Sequence, residues 1–188
     1  MKYFKKLVGE NIYLSPMNAE DAPIYLKWMN NFSTTDYIGS SNFINNLSNE
    51  KQWIEDNLKE SRKQFAVVTL EDNKLIGNCG FEDIDNIKRN GVIGLFIGDE
   101  EYRNKGYGIQ ILKLLLDYGF NYLNLNNIML YVFEFNERAI KAYKKVGFKE
   151  IGRRRKSYFV NGKYYDIIFM DILAEEFTEN YIKNKEIK

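Results

Sequence analysis

Near its end the chain reads RKSYFV-NG-KYYDIIFMDI, two alternating runs on either side of Asn161-Gly162. An Asn-Gly pair supplies the two positive-φ positions of a type I′ turn, whose twist matches that of two antiparallel strands. No other local feature limits the fold as tightly. A hairpin by itself is marginal in water, so it must join a larger sheet with a packed face.

The rest of the sequence supplies that sheet. NIYLSP reads as a first strand, and QFAVVTL, KLIGNCGFEDI and NGVIGLFIG as a three-strand meander with EDN as its first turn. NIMLYVF is a further strand. Helical spacing appears in NAEDAPIYLKWMNN, where Asn18 is placed to cap and Ala22, Tyr25, Trp28 and Met29 share a face. A second helix begins near Ser48 and runs through Trp53, Ile54 and Leu58. A third passes through Ile111, Leu114, Leu115 and Tyr118, and a short one, NERAIKAYKKVGF, ends at Gly147. Residues 32–46 are polar with scattered aromatics and no period, and read as a loop. Together these predict one α/β (α+β) domain over residues 1–174, a mixed and mostly antiparallel sheet flanked by helices and closed by the hairpin. Residues 175–188 read as a charged tail, partly helical or frayed.

Composition removes whole classes of function. The chain has 188 residues and no histidine, so the commonest general base and the commonest transition-metal ligand are both missing. With a single cysteine, Cys79, there is no intrachain disulfide, no expected metal site and no Cys-His or Ser-His-Asp hydrolase. Cys79 itself sits on an apolar strand and reads as packing. The formal net charge of +1 gives no field that would gather nucleic acid or an anionic membrane, and neither is an expected partner. No apolar run approaches the ~20 residues of a bilayer span. The start, MKYFKKLVGENIYL, lacks the continuous apolar stretch of a signal peptide, and the expected location is cytoplasmic. The run Arg153 to Lys156 reads as a solvated strand end, with a coenzyme phosphate or RNA as the less favoured partners.

The stretch EEYRNKGYGIQILKLLLDYGF changes from charged and glycine-punctuated to helical. A helix N-terminus offers unpaired N–H groups and about half a positive charge, and glycines let an anion approach closely. Arg103, Asn104, Lys105, Gly106, Tyr107 and Gly108 therefore have the parts of a pyrophosphate cradle. There is no Gly-Lys-Ser/Thr ending of a nucleotide P-loop and no third glycine of a dinucleotide fingerprint. On spacing alone, a helix that merely starts after a glycine turn is the favoured reading.

Two motifs in order shift that balance. Arg103-x-x-Gly106-x-Gly108, followed by Asn136, Ala139, Tyr143, Gly147 and Phe148 at Asn-x-x-Ala-x-x-x-Tyr-x-x-x-Gly-Phe spacing, resembles the GCN5-related N-acetyltransferase (GNAT) superfamily. The opening segment and YFVNGKYYD are similar to its ribosomal-protein alanine and spermidine acetyltransferase branch. The resemblance implies acetyl-CoA as cosubstrate. Residues 103–108 would hold its pyrophosphate, and Leu95, Phe96 and Ile97 would pair with the pantetheine arm. Asn136 would cap its helix and bond the arm, and Tyr143 would be the general acid. Many relatives carry a glutamate in the strand before the glycine loop. Val92 stands there instead, so the base stays open among Glu82, Asp83, Glu134 and an ordered water chain. Trp28, Asp36, Tyr37 and Phe43 are expected around the acceptor. The acceptor is a primary amine: a polyamine first, a protein N-terminus second, with aminoglycosides and amino sugars open. The competing class is a domain that binds acetyl-CoA as a sensor or scaffold. Whether the chain forms a homo-oligomer is also open.

Overall fold

The computed structural model describes residues 2–59 and 63–184. In chain order they form β1 (Leu7–Val8), β2 (Ile12–Pro16), α1 (Ala22–Met29), α2 (Phe32–Ile38), α3 (Leu47–Lys59), β3 (Gln64–Thr69), β4 (Leu75–Asp85) and β5 (Asn90–Ile97). After these come α4 (Tyr107–Asn121), β6 (Asn127–Phe133), α5 (Glu137–Val146), β7 (Lys149–Val160) and β8 (Lys163–Leu173). The strands make one eight-stranded sheet in the order β1-β2-β3-β4-β5-β6-β8-β7. Every neighbouring pair is antiparallel except β5 and β6, the pair that α4 connects.

The hairpin forms as its turn chemistry requires, with Asn161 at φ 48° and Gly162 at φ 74°. Phe159 faces Tyr164 across it, ring centroids 4.8 Å apart. Helix α4 buries Ile111, Leu112, Leu114, Leu115 and Leu116, packing with α5 on one side of the sheet against Phe65, Val67, Ile93, Ile128 and Met170. Each such side chain contributes roughly 1.5–3 kcal/mol on full burial. On the other side, Tyr25 and Trp28 of α1 and Ile54 of α3 cover Tyr13, Ala66 and Val68. Among the described residues no helix is long and apolar enough to cross a membrane.

Three local expectations are corrected. Asn18 caps a 3-10 turn, Ala19–Asp21, by accepting from the Glu20 N–H, and α1 proper starts at Ala22. Residues 32–38, expected in a loop, form α2. Asn31 caps its start by accepting from the Ser33 N–H at 2.9 Å, and Gly39 at φ 78° ends it. Its seven residues carry no apolar period because tertiary hydrogen bonds, not one buried stripe, hold it. The tail is anchored as far as Asn184. Asp117, fully buried on α4, accepts from the N–H groups of Tyr181 (2.6 Å) and Ile182 (2.8 Å). Lys183 N–H then donates to the Val8 carbonyl, covering the sheet edge at β1. Residues 185–188 lie outside the described residues.

Candidate active site

The site starts from an interruption in the sheet. β5 and β6 pair only at Asn90–Asn127, Gly91–Ile128 and Val92–Met129. β5 nevertheless stays bonded to β4 as far as Ile97, and β6 to β8 as far as Phe133. From Ile93 and Leu130 onward the two strands diverge, and their facing edges line a cleft of about 1010 Å³. Leu95, Phe96 and Ile97 form one of these edges, as expected for residues that would bond an extended ligand.

The glycine turn lies at one end of the cleft. A 3-10 turn, Glu100–Tyr102, capped by Asp99, leads to Asn104 at φ 62° and Gly106 at φ 80°. Gly106 is the N-cap of α4, and among the described residues no side chain accepts from the helix's first N–H groups. A Cβ on either Gly106 or Gly108 would meet nothing within 4 Å, which leaves open space against the backbone. Asn104, Gly106, Tyr107 and Gly108 all line the cleft. Lys105 does not; its ammonium sits 5.3 Å over the Tyr102 ring. From α5, Arg138 donates to Asn104 Oδ1 (3.3 Å), and Lys141 and Lys145 follow along the same wall.

Arg103 lines the cleft, but its guanidinium is directed into the protein. Nε donates to the Ile97 carbonyl (3.0 Å) and Nη2 to the Gly98 carbonyl (3.2 Å) and Thr34 Oγ1 (2.8 Å). Nη1 donates to the carbonyl and hydroxyl oxygens of Ser33 at 3.1 and 3.4 Å.

At the middle of the cleft three polar groups converge. Tyr143 is buried on α5, and burial pushes its phenol up to about 12, opposed by Arg138 and reinforced by Glu82. Glu82 is the extra residue of a bulge in β4: Phe81 pairs with Ile93 and Asp83 with Val92, leaving Glu82 unpaired between them. Its side chain lies over Gly94, where a Cβ would collide with Oε1. The carboxylate is open to the cleft yet crowded by protein, and desolvation raises its pKa. Tyr131 of β6 is also raised, by burial first and by the charge of Glu82 second. The other two carboxylates considered from sequence lie elsewhere. Glu134 accepts from the Asp166 N–H at 2.9 Å, supporting the hairpin, and neither it nor Asp83 lines the cleft.

The far arm of the cleft runs between α2 and α3. Tyr37 and Phe43 line it, as expected. Trp28 does not: it is 6% exposed, packed edge-on to Tyr25 and Phe96 and seated in the space left by Gly98. Asp36 does not either; its carboxylate accepts from Ser41 Oγ at 2.5 Å. The arm's polar residues went unremarked in the sequence. Glu50 is 6% exposed, no described residue donates to its carboxylate, and desolvation raises its pKa. Beside it along the wall are Trp53, Asn57 and Tyr25, whose buried hydroxyl has no hydrogen-bond partner among the described residues. A buried Glu on a helix with no basic neighbour at helical spacing was the available signal.

Asn136 caps α5 by accepting from the Ala139 N–H (3.2 Å) and lines the cleft. Cys79 is buried in the core, its thiol raised by desolvation. Along Arg153 to Lys156, Arg153 bonds Glu150 at 2.6 Å, and none of the four lines the cleft.

The mixed, mostly antiparallel sheet flanked by helices and closed by a hairpin is the architecture expected; the parallel pair that splays beside a helix N-terminus is what the structure adds. Residues 11–149 match the Acetyltransferase (GNAT) domain family, and the chain belongs to it; it is an N-acetyltransferase. It is 31% identical over 158 residues to a spermidine N(1)-acetyltransferase of Vibrio cholerae, covering 74% of this chain and 90% of that protein. It is 30% identical over 178 residues to the SPbeta prophage-derived uncharacterized N-acetyltransferase YokL of Bacillus subtilis, covering 92% and 96% of the two chains. Among solved structures, spermidine N-acetyltransferase from Vibrio cholerae in complex with CoA and spermine superposes with a TM-score of 0.81 at 25% identity, over 88% of this chain and 97% of that one.

Proposed function

We propose that the enzyme transfers the acetyl group of acetyl-CoA directly to a primary amine of a polyamine. The observation that carries this reading is the convergence of Glu82 and Tyr143 in the splay between β5 and β6, beyond the anion cradle. The cradle fits a pyrophosphate through first-turn N–H groups to which no described side chain is bonded, and through open space at Gly106 and Gly108. The free edge of β5 fits the amides of a pantetheine arm.

The chemistry follows from the two groups. An alkylammonium with pKa ~10.4 is less than a thousandth neutral at pH 7, a deficit of about 4.6 kcal/mol. The ammonium's first proton leaves to solvent before attack, which is the deficit above. Glu82 accepts the second, which the nitrogen loses as the N–C bond forms, and a proton from Glu82 later restores the phenol of Tyr143. The C–S bond then breaks, and the departing sulfur needs a donor. Tyr143 holds its proton at neutral pH and offers it to that sulfur. Against a thiol of ordinary pKa ~8.5, complete transfer from a phenol near 12 is uphill by roughly 5 kcal/mol. A dry cleft narrows that gap, because burial raises a thiol as well, the direction seen at Cys79.

A polyamine is favoured because the acceptor arm is lined by both Trp53 and Glu50, to whose carboxylate no described residue donates. An ammonium is the group that a desolvated carboxylate and an aromatic face attract together. The test is release of free CoA across spermidine, peptides with free N-termini, aminoglycosides and amino sugars, with a no-acceptor control. Turnover confined to polyamines is expected. Turnover on another class alone would reassign the acceptor. Silence throughout, with acetyl-CoA bound tightly, would favour the sensor reading.

A further inference from the structure

We infer that Arg103 is a positioning residue that ties the acceptor wall to the coenzyme cradle, and that it is not a ligand of the coenzyme's phosphates. The inference rests on the transferase reading above for what lies on either side of the tie.

A guanidinium has five N–H donors. Those of Arg103 face five acceptors: Ile97 O, Gly98 O, Ser33 O, Ser33 Oγ and Thr34 Oγ1. None is left over for an incoming phosphate. Of the five acceptors, one is the last residue of β5, one the residue just past it, and three belong to the first turn of α2. Glu100, one turn before, strengthens the same joint: its carboxylate accepts from Ser33 Oγ and from Asn31 Nδ2 and lies 3.6 Å from Arg103 Nη1. The other end of α2 is tied separately, by Tyr158 Oη donating to the Asp36 carbonyl at 3.1 Å.

Directly after the second tie α2 presents Tyr37 and Ile38 to the cleft. The loop that ends in the glycine turn and the helix that faces the acceptor therefore move as one body. Charge at the phosphate end comes from Arg138, Lys141 and Lys145 instead.

Arg103→Lys separates the two roles. A lysine keeps the point charge that serves a phosphate but loses the planar fork that reaches β5 and α2 together. With the tie lost, the acceptor KM is expected to rise about tenfold or more, as for a wall displaced by a fraction of an ångström. The dissociation constant of acetyl-CoA should stay within about twofold. Thr34→Val, which removes one acceptor of the fork and keeps its shape, should raise the acceptor KM several-fold with the same selectivity. A readout without turnover is amide hydrogen exchange. Residues 33–38 should exchange faster in Arg103→Lys, while acetyl-CoA still protects residues 104–108. That measurement stands even if no amine proves to be a substrate, a result that would sink the transferase reading alone. Weakened acetyl-CoA binding with an unchanged acceptor KM would make Arg103 a phosphate ligand and overturn the inference. Equal losses on both sides, or unchanged exchange in α2, would overturn it as well.

Discussion

Gly94→Ala isolates the position of one carboxylate. A Cβ at Gly94 would collide with Glu82 Oε1 and stand 3.1 Å from its Cδ, with no backbone atom among its nearest contacts. To reach ordinary van der Waals separation the oxygen must withdraw by about 1 Å. The obstacle is the end of a flexible side chain, so the fold accommodates the methyl group at little cost. The chemistry does not, because a misplacement of this size costs on the order of 10²-fold in rate. The variant should therefore melt within a few degrees of the parent while kcat for CoA release falls about 100-fold, with acetyl-CoA affinity nearly unchanged. Gly77→Ala is the contrast: there the added Cβ meets the Phe96 backbone, so melting should fall sharply before any question of activity arises. If Gly94→Ala keeps parental kcat at a normal melting temperature, Glu82 is not the proton acceptor.

Four further outcomes are expected. Glu82 has a raised pKa, so its base form appears only above the usual carboxylate range; kcat/KM should show an acid limb displaced upward, and Glu82→Gln should abolish that limb and lower the rate about 10²–10⁴-fold. A raised carboxyl favours the folded state at low pH and loses that contribution as pH rises through the folded value, so Glu82→Gln should melt slightly higher than the parent at pH 7, as scanning calorimetry would show. Tyr143→Phe should keep acetyl-CoA binding, measured by calorimetry, and lose roughly 10²-fold or more in kcat; unchanged kcat would remove the phenol from the reaction. Asp117→Ala leaves the Tyr181 and Ile182 N–H groups without their acceptor, so limited proteolysis should release the tail before the domain unfolds.

What could be read in the sequence was what local chemistry decides. Asn161-Gly162 sets its turn without help from distant residues, and Asn136 and Gly147 bracket α5 by capping alone. The glycine turn that starts α4 was legible, with Gly106 at φ 80°, although its spacing alone favoured a plain helix start. What was missed depends on contacts far apart in sequence. α2 is held by Arg103 and Tyr158, and neither is foreseeable from residues 32–38. Trp28 fits the pattern of a pocket aromatic until Gly98 opens a seat for it beneath β5. Glu82 was one of several carboxylates until a bulge, invisible in the alternation of β4, turned it over Gly94. Val92 has no ionisable group, and the bulge in the neighbouring strand sets a carboxylate over Gly94, two residues further along β5.

The parting of β5 and β6 has a consequence for how the chain is kept. Two strands in the interior of a sheet, each with a bare edge, leave the unliganded domain an unfinished object. A molecule bonding to both edges acts as a borrowed piece of strand, and its affinity adds to the stability of the fold: about 2.7 kcal/mol at a hundred times its dissociation constant. Selection for robustness alone would zip the gap shut, extending the three existing pairs toward Ile97 and Phe133. The result would be a sturdier sheet with nowhere to work. The open seam is thus a mark of use, kept against the tendency of strands to find each other.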